Sequence, residues 1–411
     1  MFSYFADSPE YLKRKESPFS PSNISIGELR AALPKEVFQR STALGLYYYA
    51  RDIVSIYIAY RLGAAIDPFA QGIISSYGLE GFYAFAFRWA LWATYWHWQG
   101  VILAGFWQLA HEAGHGTLSD YPLINSFIGF PAHSFLLTPY FSWRASHRLH
   151  HKKANCIEDD ENWCPETRKD LGLPPPEKAK AVDYADILEE TPIYTLYRMF
   201  LTQVFGLHIY FFNNTSGQPT RPAGTSHFLP SSPLFKPEER NAILLSDVGI
   251  IVMLAALSKF TLTYGFAAFI KLYLVPWILC NHWVVAVTHL HHSDPTIPMF
   301  RRKEWNYVRG ALSTVDRPVL GWAGQFFLKN VSHNHVTHHL FSTIPFYNQP
   351  KATEAIKPLV KEHYNTDSTN TLRALYRTFA ECRFIEDEGD IIFYRNKHGE
   401  TARQVKTEKV E

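Results

Sequence analysis

Long apolar runs separated by polar segments dominate the pattern of the chain. Four of these runs, at residues 42–66, 82–110, 242–262 and 265–289, reach the roughly 20 residues that a helix needs to cross the apolar core of a bilayer. Charged residues are rare inside the runs, and aromatic residues gather near their ends, as membrane-interface anchors do. The pattern therefore predicts four transmembrane helices and an all-α integral membrane fold.

Two other apolar segments are interrupted in ways that argue against a crossing. Residues 121–140 contain Pro122, Pro131 and Pro139, which break a helix, so this segment is expected to form a half-buried or re-entrant hairpin. Residues 193–212 include an arginine, a glutamine and a histidine, with tyrosine and phenylalanine at both ends. That composition favours a helix lying in the membrane interface.

The polar segments divide the chain into three parts. Residues 1–41, rich in Pro and Ser, are expected to form a flexible or surface-lying cytosolic arm. Within this arm, Ser25 and Glu28 have the spacing of a capping box and predict a short helix. Residues 42–365 form the membrane domain, and residues 366–411 form a polar tail. The charged stretch at residues 152–190 is expected to face solvent as part of a cytosolic helical cap.

Composition and charge change this picture little. Aromatic residues make up 16% of the 411 residues, with 11 Trp, and the net charge of +2 gives no argument for binding nucleic acid. The four cysteines form no close C-x-x-C pair and are expected to be free thiols. Arg51 and Asp52 lie in the first apolar run, where each charge costs about 2.5–3.5 kcal/mol at a helix centre. They must therefore pair, face the protein interior or mark the edge of the span.

Histidines recur in three short motifs. The spacing H-x-x-H-H occurs twice, and H-x-x-x-H occurs once directly after the second apolar run. Residues three and four apart share one face of a helix, so each motif is expected to aim its imidazoles into one small volume. Chance is a poor explanation for this recurrence in a chain with 19 histidines. The candidate ligands are His111, His115, His147, His150, His151, His335, His338 and His339.

These eight imidazoles exceed what one zinc ion uses, because structural zinc takes four ligands and catalytic zinc three. Two metal ions sharing one basin fit the number better. Neutral imidazoles beside hydrocarbon suit oxygen activation against an unactivated C–H bond of a lipid chain. Iron is the preferred metal, although imidazole ligands alone also admit zinc or copper. No catalytic residue beyond this metal centre is expected.

The first motif also matches H-E-x-x-H, the pattern of zinc peptidases in which Glu112 would act as general base. An intramembrane zinc peptidase is therefore a remote alternative, but it leaves the other two motifs unexplained. Glu112 is better interpreted as a carboxylate that supports a ligand histidine, because metal-bound imidazoles usually donate their other N–H to such a group.

A common metal site constrains the topology. His111, His147 and His335 must then lie on one side of the membrane, so an even number of crossings must separate them. Three apolar segments lie between His151 and His335, and placing residues 193–212 in the interface leaves two crossings. The expected layout is four spans with the histidine motifs on the cytosolic side.

The same residues carry a family resemblance. The three histidine motifs, in this order, resemble those of membrane fatty acid desaturases of the acyl-lipid type, such as the fungal and plant Δ12 (oleate) and ω3 enzymes. The resemblance covers roughly residues 40–365 and includes Asp-Arg-Pro-Val-Leu-Gly at 316–321 and the phrase that follows His339. In similar enzymes, a Gln-His-Thr phrase at the end of the last span falls on His291, His292 and Ser293, which makes His292 the ninth candidate ligand.

The resemblance implies an O2-dependent acyl desaturase with two iron ions. It further implies a fatty acyl lipid or acyl-CoA as substrate, and electrons from NADH delivered through a separate cytochrome b5 and its reductase. The expected location is the endoplasmic reticulum membrane. Ala113 stands where many Δ12 enzymes have Cys, and His291 replaces Gln. Such changes beside the ligands leave open a related hydroxylase, acetylenase, epoxygenase or conjugase on the same scaffold.

Other residues around the motifs have weaker predictions. An acidic run is a candidate for supporting a ligand or docking the electron donor, although a solvated loop explains it as well; it comprises Glu158, Asp159, Asp160 and Glu161. Basic residues near the motifs could hold acidic head groups or the donor. The scattered histidines are expected to be structural or exposed: His97, His133, His208, His227, His282 and His333.

Overall fold

The computed structural model describes residues 2–188 and 191–406, so the last two residues of the predicted cap and the last five of the predicted tail lie outside it. The described chain is mostly helical. Its α-helices are α1 (Pro9–Glu16), α2 (Ile26–Ala32), α3 (Thr42–Tyr77), α4 (Gly81–His115), α5 (Pro122–Phe135), α6 (Tyr140–Lys153), α7 (Ala181–Leu188), α8 (Pro192–Asn213), α9 (Arg240–Tyr264), α10 (Phe266–Phe269), α11 (Val275–His292), α12 (Tyr307–Leu312), α13 (Gly321–Phe327), α14 (His335–Leu340), α15 (Gln349–Val360) and α16 (Thr371–Glu381).

Short elements complete the description. Ile270–Leu274 is a π-helical turn that joins α10 to α11. Strands β1 (Met299–Phe300) and β2 (Ile391–Ile392) pair antiparallel, with Met299 opposite Ile392. The 3-10 helices are Phe2–Phe5, Lys35–Phe38, Pro237–Glu239 and Lys361–His363.

Three of the four predicted spans coincide with helices long and apolar enough to cross a membrane: Thr42–Tyr77, Pro237–Tyr264 and Phe266–His292. Side chains such as Leu62 and Ile251 are more than 60% exposed on these helices, as expected of surfaces that face lipid. α4 is nearly as long as α3, at 35 against 36 residues, but is not among these three helices. Its residues from Gln99 to Gly114 are buried by the rest of the protein.

α4 is the central helix, packed against α3, α5 and α11. A close approach occurs at Gly105, where a Cβ atom would clash with the backbone of Phe327. Beside it, Lys329 is fully buried and donates to the carbonyl oxygen of Gly105 at 2.6 Å. Lys329 also pairs with Asp52 at 2.6 Å, and Arg51 pairs with Asp52 at 2.7 Å. Of the three alternatives for Arg51 and Asp52, the structure thus shows pairing, and Lys329 is a third charge in the cluster.

The helix breaks predicted at Pro122 and Pro139 are present, whereas the break predicted at Pro131 is not. α5 begins at Pro122, where a missing N–H costs nothing, and residues 136–139 separate it from α6. A re-entrant position of this segment stays a prediction. Pro131 lies inside α5 and is tolerated there, and α6 begins at Tyr140.

The segment predicted to lie in the interface is the helix α8, which packs against α11 and α16. Its relation to a membrane stays a prediction.

The N-terminal 41 residues pack onto the rest of the protein. α2 has the predicted capping box between Ser25 and Glu28. Leu29, Leu33 and Val37 are buried in one core with residues of α12, α14 and α15. The first segment therefore contributes to the core that surrounds α14.

Buried charges fix both ends of the chain beside the end of α11. Arg317 pairs with Asp294 at 2.7 Å and with Asp367 at 2.5 Å, and these three side chains are at most 2% exposed. Arg14 of α1 lies 3.5 Å from Asp294, and Arg377 of α16 pairs with Asp367. We call these five residues the buried ion cluster. Because buried charges are costly unless paired, this cluster holds α1, α16 and the segment after α11 together.

Candidate metal centre

Five imidazoles converge at the ends of α4, α6 and α14. We call them the first imidazole group: His111, His115, His147, His151 and His338, whose ring nitrogens lie within 4.8 Å of one another. Nε2 of His147 lies 2.9 Å from Nε2 of His111 and 3.0 Å from Nε2 of His151. Nε2 of His115 lies 3.1 Å from Nε2 of His147. The Nε2 atoms thus point at one shared space.

Four further imidazoles form the second imidazole group: His150, His292, His335 and His339. Ring nitrogens of His150, His292 and His339 lie within 4.8 Å of one another. Nε2 of His335 lies 3.0 Å from Nε2 of His292. The two groups are adjacent, since the rings of His151 and His339 stack with centroids 4.2 Å apart. All nine histidines singled out from the sequence therefore lie in one basin.

One expectation needs correction, because a motif does not aim all its imidazoles into a single volume. His147 and His151 belong to the first group, whereas His150 belongs to the second. On α14 the assignment is reversed, with His338 in the first group and His339 in the second. Adjacent residues on a helix point about 100° apart. Each His-His pair is therefore divided between the two groups.

The imidazoles are in the state that a metal ion requires. Burial, reinforced by neighbouring imidazoles, lowers the pKa of several of them far below the ordinary value, so they are neutral at physiological pH; these are His147, His151, His335, His338 and His339. A neutral imidazole offers one lone pair.

Several ring nitrogens in the basin remain unpartnered. Nε2 of His338 and both ring nitrogens of His339 are buried without a hydrogen-bond partner among the described residues. Buried polar atoms are normally paired, so lone pairs converging on two centres fit a pair of cations. The residues present thus fit a site for two metal ions held by nitrogen.

Carboxylates support two of these rings. Asp160 is 1% exposed, and its Oδ1 lies 2.8 Å from Nδ1 of His150. A ring that donates Nδ1–H to Asp160 directs its Nε2 lone pair towards the second group. Glu112 is also 1% exposed, with Oε1 3.3 Å from Nδ1 of His111 and 3.9 Å from Nδ1 of His338. Both residues were predicted from the sequence as supports for ligand histidines, and both lie beside Nδ1 of an imidazole in the basin.

The other acidic candidates have different partners. Glu158 pairs with Arg301 at 3.0 Å and Asp159 pairs with Lys153 at 3.2 Å. Glu161 pairs with Arg221. The acidic run is therefore mostly a set of ion pairs, and Asp160 is its one member in contact with an imidazole of the basin in the described structure.

Two side-chain amides that contact imidazoles of the first group were not predicted from the sequence. The side-chain amide of Gln108 lies 2.8 Å from Nδ1 of His111, and that of Gln349 lies 3.2 Å from Nδ1 of His338. The oxygen and nitrogen of a side-chain amide are interchangeable in such assignments. Each glutamine can therefore offer its amide oxygen to Nδ1–H of the neighbouring histidine. Gln108 could have been found, because it precedes His111 by three residues on the same helix face. Nothing in the sequence points to Gln349.

The remaining histidines are separate from the basin's nitrogens. Nε2 of His291 lies 2.9 Å from Oγ of Ser332, and its Nδ1 donates to the carbonyl oxygen of Val315. Its ring nitrogens are thus occupied, unlike the Nε2 of His292. His133 is buried, with Nε2 3.2 Å from the carbonyl oxygen of Trp107, and His227 lies 3.1 Å from Ser146. His97, His208, His282 and His333 belong to neither group.

A cavity of about 360 Å³, which we call the acyl-sized cavity, borders both imidazole groups. On α11 its wall runs from Trp283 to His292, nine residues or roughly 13 Å of helix. His111, His147, His150 and His335 line it at the imidazole end. Most of the remaining wall is apolar, from α4, α8 and α11. Glu112 is not among its lining residues, so the general base of the zinc-peptidase alternative does not face this cavity.

Comparison with known proteins identifies relatives over most of the chain. The sequence model of a family described as "Fatty acid desaturase" matches residues 87–370. The chain is 37% identical to a Delta(12) fatty acid desaturase of Mortierella alpina over 385 residues, 92% of each protein. It is 35% identical to an oleate hydroxylase of Claviceps purpurea, over 92% of this chain and 82% of that one. It is also 35% identical to a fatty acid conjugase of Calendula officinalis, over 92% and 96% respectively.

Proposed function

The chain belongs to the fatty acid desaturase family of oxidoreductases, and we propose that it introduces a cis double bond of the Δ12 or ω3 type into a fatty acyl chain. The observation that carries this proposal is the pair of imidazole groups beside the acyl-sized cavity. Membership of this family removes the basis for the zinc-peptidase alternative. The resemblance seen in the three histidine motifs is confirmed by the relatives.

The nine histidines of the two groups would hold two iron ions, the first group one and the second group the other. Bound there, the irons would supply the oxidising power of O2. Two hydrogens leave the chain, and two electrons from a donor with two protons from solvent complete the reduction of O2 to two waters. Asp160 holds the imidazole proton of His150 on Nδ1, and the Gln108 amide can do the same for His111, which keeps both Nε2 lone pairs available. They are positioning residues.

The cavity walls would bind and orient the acyl chain. Val284 and Val287 on α11 and Leu207 on α8 offer apolar contact along its length, and Trp283 forms part of the wall farthest from His292 on α11. The same walls exclude water from the reacting carbons, which protects the oxidation from side reactions.

The membrane layout follows the same proposal. α3, α4, α9 and α10–α11 form the four spans, α8 lies in the interface, and the histidine motifs face the cytosol in a helical cap. α4 would cross although its composition is aromatic, because its second half is buried by neighbouring helices rather than by lipid. The endoplasmic reticulum membrane is the proposed location. Cytochrome b5 and its reductase, using NADH, are the proposed electron donors, and Arg148, Lys152 and Arg302 are candidates for the docking surface.

A related product is the second candidate, because relatives of similar identity include an oleate hydroxylase and a fatty acid conjugase. An acetylenase or epoxygenase would use the same scaffold. Ala113 and His291 lie beside the ligands and differ from the usual Δ12 pattern, and Ala113 is buried next to the first group. Analysis of intact products is needed to show whether a glycerolipid or CoA carries the acyl chain.

Expression in a yeast that lacks polyunsaturated fatty acids tests the function. We expect a new diene in the fatty acid profile by mass spectrometry, absent from the matched variant His150→Ala. A hydroxylated, epoxidised or conjugated product from the wild type would replace the desaturase assignment by the corresponding alternative. An unchanged profile with normal protein accumulation, on oleoyl and linoleoyl lipids alike, would contradict the proposal.

A further inference from the structure

A second cavity, of about 620 Å³, lies on the other side of α4. Gln99, Leu103 and Phe106, spaced as one helix face, border it. The acyl-sized cavity is bordered instead by Trp107, Gln108 and His111. Gln99 precedes His111 by twelve residues, about 18 Å along the helix. The second cavity therefore belongs to neither the imidazole basin nor the acyl-sized cavity.

The second cavity opens towards the apolar outer surface. Its floor is buried, with Leu103 2% exposed and Phe106 5% exposed. Its rim includes Ile53 and Tyr57 of α3, which are 43% and 56% exposed, and Met253 of α9. α3 and α9 are both long and apolar enough to cross a membrane. A ligand would thus enter this cavity sideways from the bilayer.

One polar atom in the floor of the second cavity lacks a hydrogen-bond donor. Gln99 is 3% exposed and its Nε2 donates to the carbonyl oxygen of Ile56 at 3.5 Å, but its Oε1 has no hydrogen-bond partner in the described part of the chain. An unpaired acceptor is costly at membrane depth, where water is scarce. The neighbouring hydroxyl of Tyr273 donates elsewhere, to the carbonyl oxygen of Phe135 at 2.7 Å. A ligand hydroxyl would satisfy Gln99.

The rest of the lining sets the chemical class of the ligand. Among the described residues that border the second cavity, none is charged, so an ionised head group finds no partner inside. Aromatic rings form broad walls: Tyr49 stacks on Phe106 with centroids 5.9 Å apart, and Phe135 packs against Tyr273 at 5.9 Å. A rigid fused-ring body loses less conformational entropy against such walls than a flexible acyl chain does. The π-helical turn Ile270–Leu274, a feature frequent at functional sites, completes the wall.

We propose that this second cavity binds a sterol, an uncharged membrane lipid whose single hydroxyl donates to Oε1 of Gln99 while its ring system packs against the aromatic walls. The acyl tails of phospholipids lack a donor and would leave Oε1 unpaired. The site is independent of the metal ions and of the oxidation.

Photolabelling of the full-length protein in phosphatidylcholine nanodiscs tests the site. The probe is a cholesterol analogue with a diazirine and an alkyne, and labelled peptides are mapped by mass spectrometry. We expect saturable labelling of α3, α4 and α9, competed by cholesterol. Gln99→Leu is expected to weaken competition by cholesterol about tenfold, the effect of losing one buried hydrogen bond. The hydroxyl-free competitor cholestane should bind both proteins equally weakly.

A matched pair of variants guards against misfolding. Ala256→Phe fills the second cavity and is expected to abolish saturable labelling, whereas Ala255→Phe, on the exposed surface of the same helix outside the cavity, should not. Monodisperse elution of all variants is the check on folding. The proposal is overturned if labelling is not saturable, which would mean that acyl tails or water fill the cavity. It is also overturned if cholestane competes with wild type as well as cholesterol does, because the hydroxyl would then make no contact with Gln99.

Discussion

The two imidazole groups lie side by side but are supported differently. The first is backed by amides, Gln108 behind His111 and Gln349 behind His338, with the buried Glu112 near both rings. The second is backed by the carboxylate of Asp160, 2.8 Å from His150. A carboxylate raises the basicity of the imidazole that it contacts more than an amide does. The difference indicates two metal sites of unequal character within one basin.

The groups also differ in what holds their protein segments. The first takes His111 and His115 from the buried central helix α4. The second takes His292 from the last residue of α11, and Nε of Arg317 donates to the carbonyl oxygen of Leu290 there at 2.7 Å. The same arginine lies at the centre of the buried ion cluster. The position of His292 in the second group therefore depends on α1 and α16, which the buried ion cluster holds beside the end of α11.

The largest expected effect comes from removing one imidazole of each group. His338→Ala and His339→Ala change neighbouring residues on α14 that serve different groups. If both metal ions take part in the reaction, product formation should fall by more than about 100-fold in each variant, since even changes behind the ligands cost 10–100-fold. Fatty acid profiling of the expressing cells measures the loss.

His333→Ala is the matched control for these two variants, because His333 lies just before α14, is only partly buried and belongs to neither group. It should keep most of the activity. Full activity in either His338→Ala or His339→Ala would mean that one group alone is sufficient.

Arg317→Gln should have the next largest effect, on stability. Asp294 and Asp367 would lose their shared partner while at most 1% exposed, and breaking such a buried pair costs about 3–5 kcal/mol. A large drop in the apparent melting temperature, followed by fluorescence-detected size exclusion, is expected. The control Arg302→Gln breaks an exposed pair with Asp159, worth about 1 kcal/mol or less. Equal shifts in the two variants would refute the role of the buried ion cluster.

Asp160→Asn separates the groups more finely. Loss of the carboxylate behind His150 should weaken metal binding by the second group about 10–100-fold while the first group is little changed. Challenge of the purified protein with a chelator should then remove one of the two irons early. Glu158→Gln, which weakens the pair with Arg301 and contacts no imidazole of the basin, serves as control. Simultaneous loss of both irons from Asp160→Asn would contradict a division into two sites.

Gln349→Leu should have the smallest effect. The amide behind His338 is neutral, so its removal should weaken metal binding by the first group by about tenfold, the low end for such support. The same chelator challenge should remove the iron of the first group before the iron of the second group. If Gln349→Leu and Asp160→Asn release the same iron, the assignment of His338 and His150 to different groups is wrong.

Much of the architecture follows from patterns that act locally. Apolar runs longer than a bilayer is thick predict α3, α9 and α11, and the capping box predicts α2. Histidine spacing identified eight imidazoles of the basin, because helix geometry places residues three and four apart on one face. The ninth, His292, was identified through the family resemblance. How each His-His pair divides between the two imidazole groups could not be predicted, because it depends on which neighbouring helix each imidazole faces.

Other features depend on contacts between distant segments. Asp160 is one of four acidic neighbours in the sequence, and folding alone selects it to face His150. Lys329 looks like an ordinary surface lysine until α3 brings Asp52 to 2.6 Å. The break expected at Pro131 is absent, because the packed surroundings of α5 accept this proline inside the helix. None of these outcomes has a local signal.

Metal analysis of the purified full-length protein tests the central claim most directly. If the two imidazole groups each hold one ion, inductively coupled plasma mass spectrometry will find two irons per chain in the wild type, and one in each of His338→Ala and His339→Ala. A single metal ion per wild-type chain, or zinc in place of iron, would contradict the account.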